Sequence, residues 1–383
     1  MAPHASPDDL PITLAGGAEL AAALPYLIGF VPHESLVLVA LTGDHEARVG
    51  VTLRVDLPAP GPAADVVAEA VARLGPSRPA AVAALVVTEA DDVPAPVEAG
   101  ADLLDRRVDE LDAVELRALR TSTDLPGRAV VGEVARVLAG AGVPLLHTLL
   151  VRAGRCWDYD CPDACCDPGA GEVLPGGTSR LAAATVLDGR AVAADRDEVV
   201  TRLAPPTGAA LLAMGRACAQ VGVEQADDLR RLGWDRLAER SWRRVLEAVA
   251  RHRPGTTAAL TDVEVARLGW AVTAIEVRDR ALRLSAGPSA SAAEAVWTEL
   301  VRRLPVPLDA TPATLLAAAA HVRGDGATAA IALSRALDSQ PACTLARLLE
   351  RALHTGFPPS ALRGLLTRAG EQAGAGASEQ LGA

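Results

Sequence analysis

The sequence contains no lysine, since all 37 of its basic residues are arginine. This absence excludes the chemistries that need a lysine amine: the P-loop contact to nucleotide phosphates, the strand lysine of protein kinases and the Schiff base with pyridoxal phosphate. Aromatic residues are also scarce, at 2% of the chain. The core must therefore be aliphatic and rich in alanine, and few aromatic rings remain to stack on nucleic-acid bases.

Positive charge is in deficit, because 48 acidic residues give a formal net charge of −11. Such a chain gains little from neutralising phosphates, so we expect no nucleic-acid partner. The first residues contain no apolar segment of the secretory type. Apolar runs such as Leu36–Leu41 and Ala80–Val87 are far shorter than the roughly 18 residues that a membrane span needs. We therefore expect a cytoplasmic protein without a membrane partner, in which disulfides are not the default state of the six cysteines.

The first half of the chain alternates strand-like and helix-like segments. Strands are predicted at Ser35–Leu41, Arg48–Leu57, Ala80–Thr88 and Leu145–Arg152. Helices are predicted at Ala63–Leu74, Ala101–Leu119 and Arg128–Ala141. This interleaving indicates an α/β or α+β domain over residues 1–205, with helices layered on a mixed sheet. The Pro-rich segment Ala204–Gly208 is the best linker, and the domain boundary is predicted there.

Beyond the linker the patterns are helical, and an all-α domain is predicted over residues 206–369. Within it, Ser291–Pro305 aligns with Ala327–Pro341. The small, bulky and proline positions of the second copy resemble the second helix of a tetratricopeptide repeat, which favours repeat-like helix pairs over an irregular bundle. Residues 370–383 are mostly Gly, Ala, Ser, Glu and Gln, and we predict a disordered tail.

A cysteine-rich loop at 156–166 carries the most unusual chemistry. Cys156, Cys161, Cys165 and Cys166 lie among four aspartates. Four thiols can hold a structural zinc ion, so these four are candidate ligands and zinc is the candidate cofactor. The spacing is not the usual pair of Cys-x-x-Cys motifs, and adjacent cysteines rarely bind one metal. A redox or disulfide switch and simple packing of the thiols in a compact turn therefore stay open beside the metal site.

Two segments resemble a known family. Leu24–Val39 looks like the opening signature of an uncharacterised actinobacterial family, the domain of unknown function numbered 4192, and Gly154–Cys166 resembles its second signature. The resemblance covers most of residues 10–360 and implies no particular reaction, cofactor or catalytic residue. Cys156 stands where the family commonly has an aromatic residue, so a four-thiol site would be peculiar to this chain. Val31 stands where the family often has arginine, which speaks against an anion site there.

Three other segments carry candidate functional groups. His33, Glu34 and Ser35 suggest acid–base work, but neighbouring side chains on an extended chain point to opposite faces, so a turn leading into a strand is favoured. Gly176–Ser179 precedes a predicted helix and could hold an anion, although an ordinary helix cap explains it equally well. Asp91 and Asp92 follow the strand Ala80–Thr88, where open sheets place ligand sites.

These observations favour a non-enzymatic interaction or regulatory protein whose helical domain binds a protein partner. The motivation is the repeat-like helix pair together with the lack of a recognisable catalytic motif. One alternative is an enzyme of unassigned reaction, with its site at the sheet edge near His33, Glu34, Asp91 or the cysteine loop. The other is a thiol-based metal or redox sensor that uses the cysteine loop.

Overall fold

The computed structural model describes residues 16–42, 48–59, 63–94, 113–121, 123–176, 192–252 and 259–380. The chain forms two compact units, Met1–Asp195 and Arg196–Ala383. The boundary precedes the predicted linker because the helix Arg196–Arg202 packs within the second unit, where the Arg335 guanidinium donates to the carbonyl of Leu203. The candidate anion loop at residues 177–179 lies outside the described residues.

The first unit is built on a six-stranded mixed sheet in the order β2-β1-β3-β6-β7-β8. Its strands are β1 Ser35–Thr42, β2 Arg48–Asp56, β3 Ala81–Val87, β6 Leu145–Arg152, β7 Arg155–Asp158 and β8 Glu172–Val173. A separate two-stranded ribbon pairs β4 Val93–Pro94 with β5 Thr123–Asp124. Only the β3–β6 pair within the described part of the six-stranded sheet is parallel, so the carboxyl ends of these two strands meet at one edge.

Helices cover both faces of this sheet, which is why its central strands are continuous apolar runs rather than alternating ones. The α-helices in the described part of the unit are α1 Gly17–Ile28, α2 Ala63–Leu74, α3 Ala113–Arg120 and α4 Arg128–Gly140. On one face α2 and α4 pack against Leu36, Leu38 and Trp157 of the strands. On the other face α1 contacts β6 and β7, and the Leu149 side chain lies directly against Gly17.

The second unit is helical throughout its described residues. Its helices are α5 Arg196–Arg202, α6 Gly208–Leu232, α7 Trp234–Arg251, α8 Asp262–Ala271, α9 Ile275–Arg283, α10 Ala290–Arg303, α11 Ala310–Val322, α12 Gly326–Ser339, α13 Thr344–His354 and α14 Pro359–Gln380. Helix α11 is buried on all sides, and its run Ala317–Ala320 lets α10 and α12 approach closely. The two aligned segments of the sequence fall on α10 and α12; their tetratricopeptide-like character stays a prediction.

The predicted fold class, a mixed-sheet domain followed by a helical region, is confirmed. The backbone of α14 is helical to Gln380, and the disordered tail stays a prediction. In the described part of the chain, no helix combines the length and the apolar character that a membrane crossing requires.

Candidate functional site

A cavity of about 230 Å³ opens at the sheet edge where β3 and β6 end. Helix α1 supplies one apolar wall through Leu24 and Pro25, and Val31 and Val151 extend it. Polar groups line the rim: His33, Glu34, Thr88, Glu89 and Arg152. An apolar cavity with a few converging polar groups at the carboxyl ends of strands is the usual form of a small-molecule site.

The segment between α1 and β1 shapes this cavity. Gly29 ends α1 in the left-handed region with φ of 92°, a conformation that glycine adopts without steric cost. The chain then pairs with Ala193 through a short parallel bridge at Phe30, and the Val31 amide donates to the Ala193 carbonyl at 3.1 Å. The apolar signature segment of the sequence therefore forms a wall of the cavity.

Glu34 is the most constrained polar residue of the rim. Its φ is 38°, a left-handed value that few residues with a side chain adopt. The hydroxyl of the buried Thr88 lies 2.8 Å from both carboxylate oxygens, and the Glu89 amide donates to the carboxylate at 3.1 Å. Two donors thus fix the Glu34 carboxylate at the cavity mouth, and an unusual backbone conformation places it there.

Glu89 and Arg152 complete the polar rim, and only Arg152 has an ion-pair partner among the described residues. The Glu89 carboxylate accepts the Ala153 amide at 3.1 Å. Arg152 donates to Asp92 at 2.8 Å and to the Ala90 carbonyl at 2.7 Å, so its charge is already balanced by a carboxylate. Within the described residues, neither Glu34 nor Glu89 has a cationic side chain as an ion-pair partner. Among the described residues, the rim therefore presents two carboxylates that have hydrogen-bond donors but no ion-pair partner.

The side chains of His33, Glu34 and Ser35 do not come together in one group. The buried Ser35 hydroxyl donates to the His33 carbonyl at 2.5 Å and accepts from Arg54 Nε at 2.8 Å, so it ties the turn to β2. Glu34 turns toward Thr88 instead. Ser35 thus has a structural role at the start of β1. Of the three residues, only His33 and Glu34 line the cavity. Asp91, another predicted candidate, does not line the cavity.

The cysteine loop brings three of its four thiols together. The sulfur atoms of Cys161, Cys165 and Cys166 all lie within 4.8 Å of one another. Cys156 is not part of this group, which corrects the four-ligand prediction. Cys156 and Trp157 are neighbours on β7, so their side chains point to opposite faces of the sheet, and Trp157 lies with Cys166 in the core beneath α2 and α4.

Burial makes the thiols of Cys156 and Cys166 weak acids. Desolvation, with a smaller contribution from Glu172 and Asp158, raises the pKa of Cys156 to about 11. Burial also raises the pKa of Cys166 to about 12, and the hydrogen bond with Cys161 raises the pKa of the exposed Cys165. Reactive cysteines need a lowered pKa, so Cys156, Cys165 and Cys166 are poor nucleophiles.

Sequence patterns did not indicate three residues of the rim: Thr88, Glu89 and Arg152. Each stands at or just after the carboxyl end of β3 or β6, where ligand sites are expected once the two strands are known to be parallel neighbours. The strands themselves were predicted, but their pairing was not. Buried Arg117 was missed as well, because a helical arginine gives no signal in the sequence that its guanidinium will be enclosed.

The family comparison agrees with the two signature segments. The family model described as Domain of unknown function (DUF4192) matches residues 18–360. The chain belongs to this family. No curated protein and no solved structure matched the chain. The match spans both units, and the cavity walls, the polar rim and the three clustered thiols all lie inside it.

Proposed function

We propose that this family member is a non-enzymatic regulatory module whose first unit binds a small organic cation. The observation that carries the proposal is the cavity at the carboxyl ends of β3 and β6, with Glu34 fixed at its mouth. Its volume of about 230 Å³ is below the range of drug-sized sites, so the ligand is a compact molecule.

The rim chemistry selects the charge of the ligand. A protonated amine near Glu34 and Glu89 gains charge-assisted hydrogen bonds, whereas an anion would face two carboxylates. The apolar walls formed by Leu24, Val31 and Val151 suit an aliphatic body attached to that amine. The Ser35 hydroxyl is engaged by a carbonyl and an arginine, so it is not available as a nucleophile, and this supports binding rather than reaction.

Hexylamine, hexanol and hexanoate test this proposal, since they share one alkyl chain and differ in the charge of the head group. In isothermal titrations with the full chain, we expect hexylamine to bind and the other two to bind far more weakly. Glu34→Gln removes the charge and should weaken hexylamine binding at least about tenfold, because hydrogen bonds to charged groups contribute about 1.5–3 kcal/mol.

Glu133→Gln provides the matched control, because Glu133 pairs with Arg136 on the surface of α4, away from the cavity lining. This variant should bind hexylamine as the unchanged protein does. Equal binding of all three probes, or equal weakening by the two substitutions, would show that the cavity does not select a cation. Turnover of an amine probe would replace the binding function with an enzymatic one.

A second observation supports a protein partner on the helical unit, which the sequence predicts. A groove of about 330 Å³ lies among α6, α7 and α8, with Trp234 and Trp270 in its lining. Trp234 is 51% exposed and Ile275, adjacent to the groove, is 59% exposed. We propose that the apolar face of an amphipathic helix from a partner occupies this groove, since such grooves receive side chains spaced one helical turn apart.

A photo-crosslinking residue at Ala274 tests this docking in cells. We expect one specific adduct, absent when the same residue replaces Leu348, which is 58% exposed on α13. A peptide covering the crosslinked segment should then bind the purified chain, and Trp234→Ala should weaken that binding at least about tenfold, as loss of a tryptophan anchor does. If the peptide binds the unchanged chain and the Trp234→Ala variant equally, the partner docks outside this groove.

A further inference from the structure

The three clustered thiols are spaced as the ligands of one metal ion are. The sulfur of Cys165 lies 3.8 Å from that of Cys161 and 4.0 Å from that of Cys166. A tetrahedral zinc site with Zn–S bonds of about 2.3 Å has sulfur atoms about 3.8 Å apart. A disulfide needs the two sulfurs at about 2.05 Å, so these thiols are at metal-ligand separations and not at bonding distance.

Hydrogen bonds within the loop hold these positions. The Cys161 amide donates to the Asp158 carbonyl at 3.4 Å, and the Cys166 amide donates to the Asp163 carbonyl at 3.1 Å. The Asp158 amide donates to the sulfur of Cys166 at 3.3 Å. Backbone amides commonly donate to the sulfur of thiolate ligands, because they stabilise the negative charge on the sulfur.

Side chains of α3 and of β7 hold the backbone around the thiols. Buried Arg117 donates to the Cys161 carbonyl at 3.2 Å, and Arg120 forms two hydrogen bonds to Asp167, at 2.9 Å and 2.6 Å. Trp157 Nε1 donates to the Asp167 carbonyl at 3.2 Å. The thiols are therefore placed by a preformed scaffold, which is the condition for a tight metal site.

Packing alone does not account for the cluster. Cys166 belongs to the core beneath α2 and α4, but Cys165 is exposed and Cys161 is only partly buried. An exposed thiol gains nothing from core packing. The cluster is thus buried on one side and open to solvent on the other, as a site with an accessible metal position is.

We propose that Cys161, Cys165 and Cys166 bind a Zn²⁺ ion as three thiolate ligands, with the fourth coordination position open to solvent. Thiolates favour zinc over magnesium and calcium, which prefer oxygen. The cation cavity at the other end of β7 plays no part in this site.

Zinc loading of the full chain tests the proposal. Protein stripped with a chelator under reducing conditions is titrated with Zn²⁺ alone, and bound metal is counted by elemental mass spectrometry. We expect one Zn²⁺ per chain. With Co²⁺ in place of Zn²⁺, we expect the thiolate-to-metal charge-transfer absorption and the intense visible bands of a tetrahedral thiolate site.

Cys165→Ser is the deciding variant, since Cys165 is exposed and its replacement should leave the fold intact. It should lower Zn²⁺ affinity at least about tenfold, because loss of even an outer-shell partner costs 10–100-fold. Cys156→Ala is the matched control and should load zinc fully. The proposal is overturned if the unchanged chain loads no zinc, if Cys165→Ser keeps full affinity, or if Cys156→Ala loses as much. Formation of a Cys161–Cys165 disulfide without zinc binding would instead identify a redox pair.

Discussion

Asp124→Asn is expected to lower the free energy of unfolding of the first unit by about 3–5 kcal/mol, the usual cost of removing one partner of a buried ion pair. Asp124 accepts from Arg117 at 3.0 Å, and both side chains are almost fully buried. Without the carboxylate, the guanidinium of Arg117 stays charged in the interior with only carbonyl oxygens beside it. The loop that holds the three thiols should loosen as a consequence.

The Asp124 carboxylate should also make the stability of the first unit depend on pH in the acid range. Burial acts to raise the pKa of Asp124, but hydrogen bonds and charge from Arg128, with a smaller contribution from Arg117, outweigh it and lower the pKa below the usual value. A carboxyl with a lowered folded pKa stabilises the protein above its unfolded pKa of about 3.9, and this contribution is lost as pH falls through the folded value. Asp124→Asn should therefore flatten the acid side of the stability profile.

Urea unfolding followed by fluorotryptophan NMR separates the two units, because Trp157 is in the first unit and the other four tryptophans are in the second. Arg117→Met combined with Asp124→Asn should recover much of the lost free energy of unfolding, because it also removes the buried guanidinium that has no carboxylate partner. Glu133→Gln, in an exposed pair with Arg136, should leave the Trp157 transition unchanged. Equal effects of Asp124→Asn and Glu133→Gln would contradict the assigned role of the buried pair.

Trp297→Ala is expected to destabilise the second unit by about 3–5 kcal/mol, because Trp297 on α10 is fully buried and its truncation leaves a large cavity. Trp297→Phe should cost much less. The indole N–H of Trp297 is buried and has no hydrogen-bond partner in the described part of the chain, so phenylalanine removes an unsatisfied donor while keeping most of the apolar volume.

The same NMR unfolding experiment checks both substitutions through the remaining tryptophans of the second unit. Trp234→Ala serves as the control, because Trp234 is half exposed and its loss leaves no enclosed cavity. A cost for Trp297→Phe equal to that for Trp297→Ala would mean that the indole N–H has a partner and contributes to stability.

Local patterns predicted the elements of the fold well. The strands Ser35–Leu41 and Leu145–Arg152 and the helix Ala63–Leu74 lie close to where periodicity and apolar runs placed them. The domain boundary was less predictable, because the short helix Arg196–Arg202 belongs to the second unit through packing that its sequence does not reveal. Proline-rich composition marked a loop near this boundary but not the boundary itself.

The sites depend on contacts that local patterns do not encode. The parallel pairing of β3 with β6 brings Thr88 and Glu89 to Arg152 across a long stretch of chain. The loop chemistry was recognisable from cysteine spacing, but the alternation of β7 decides that Cys156 lies on the other face of the sheet from Cys166. Strand direction and side-chain alternation together therefore determine which candidate residues share a site.

A crystal structure of the full chain with hexylamine would show whether the sheet-edge cavity binds a cation through Glu34. We expect one amine in the sheet-edge cavity, with its ammonium group within hydrogen-bonding distance of the Glu34 carboxylate and its alkyl chain against Leu24 and Val151. An amine bound outside this cavity, or one in it with the ammonium turned away from Glu34, would contradict the account.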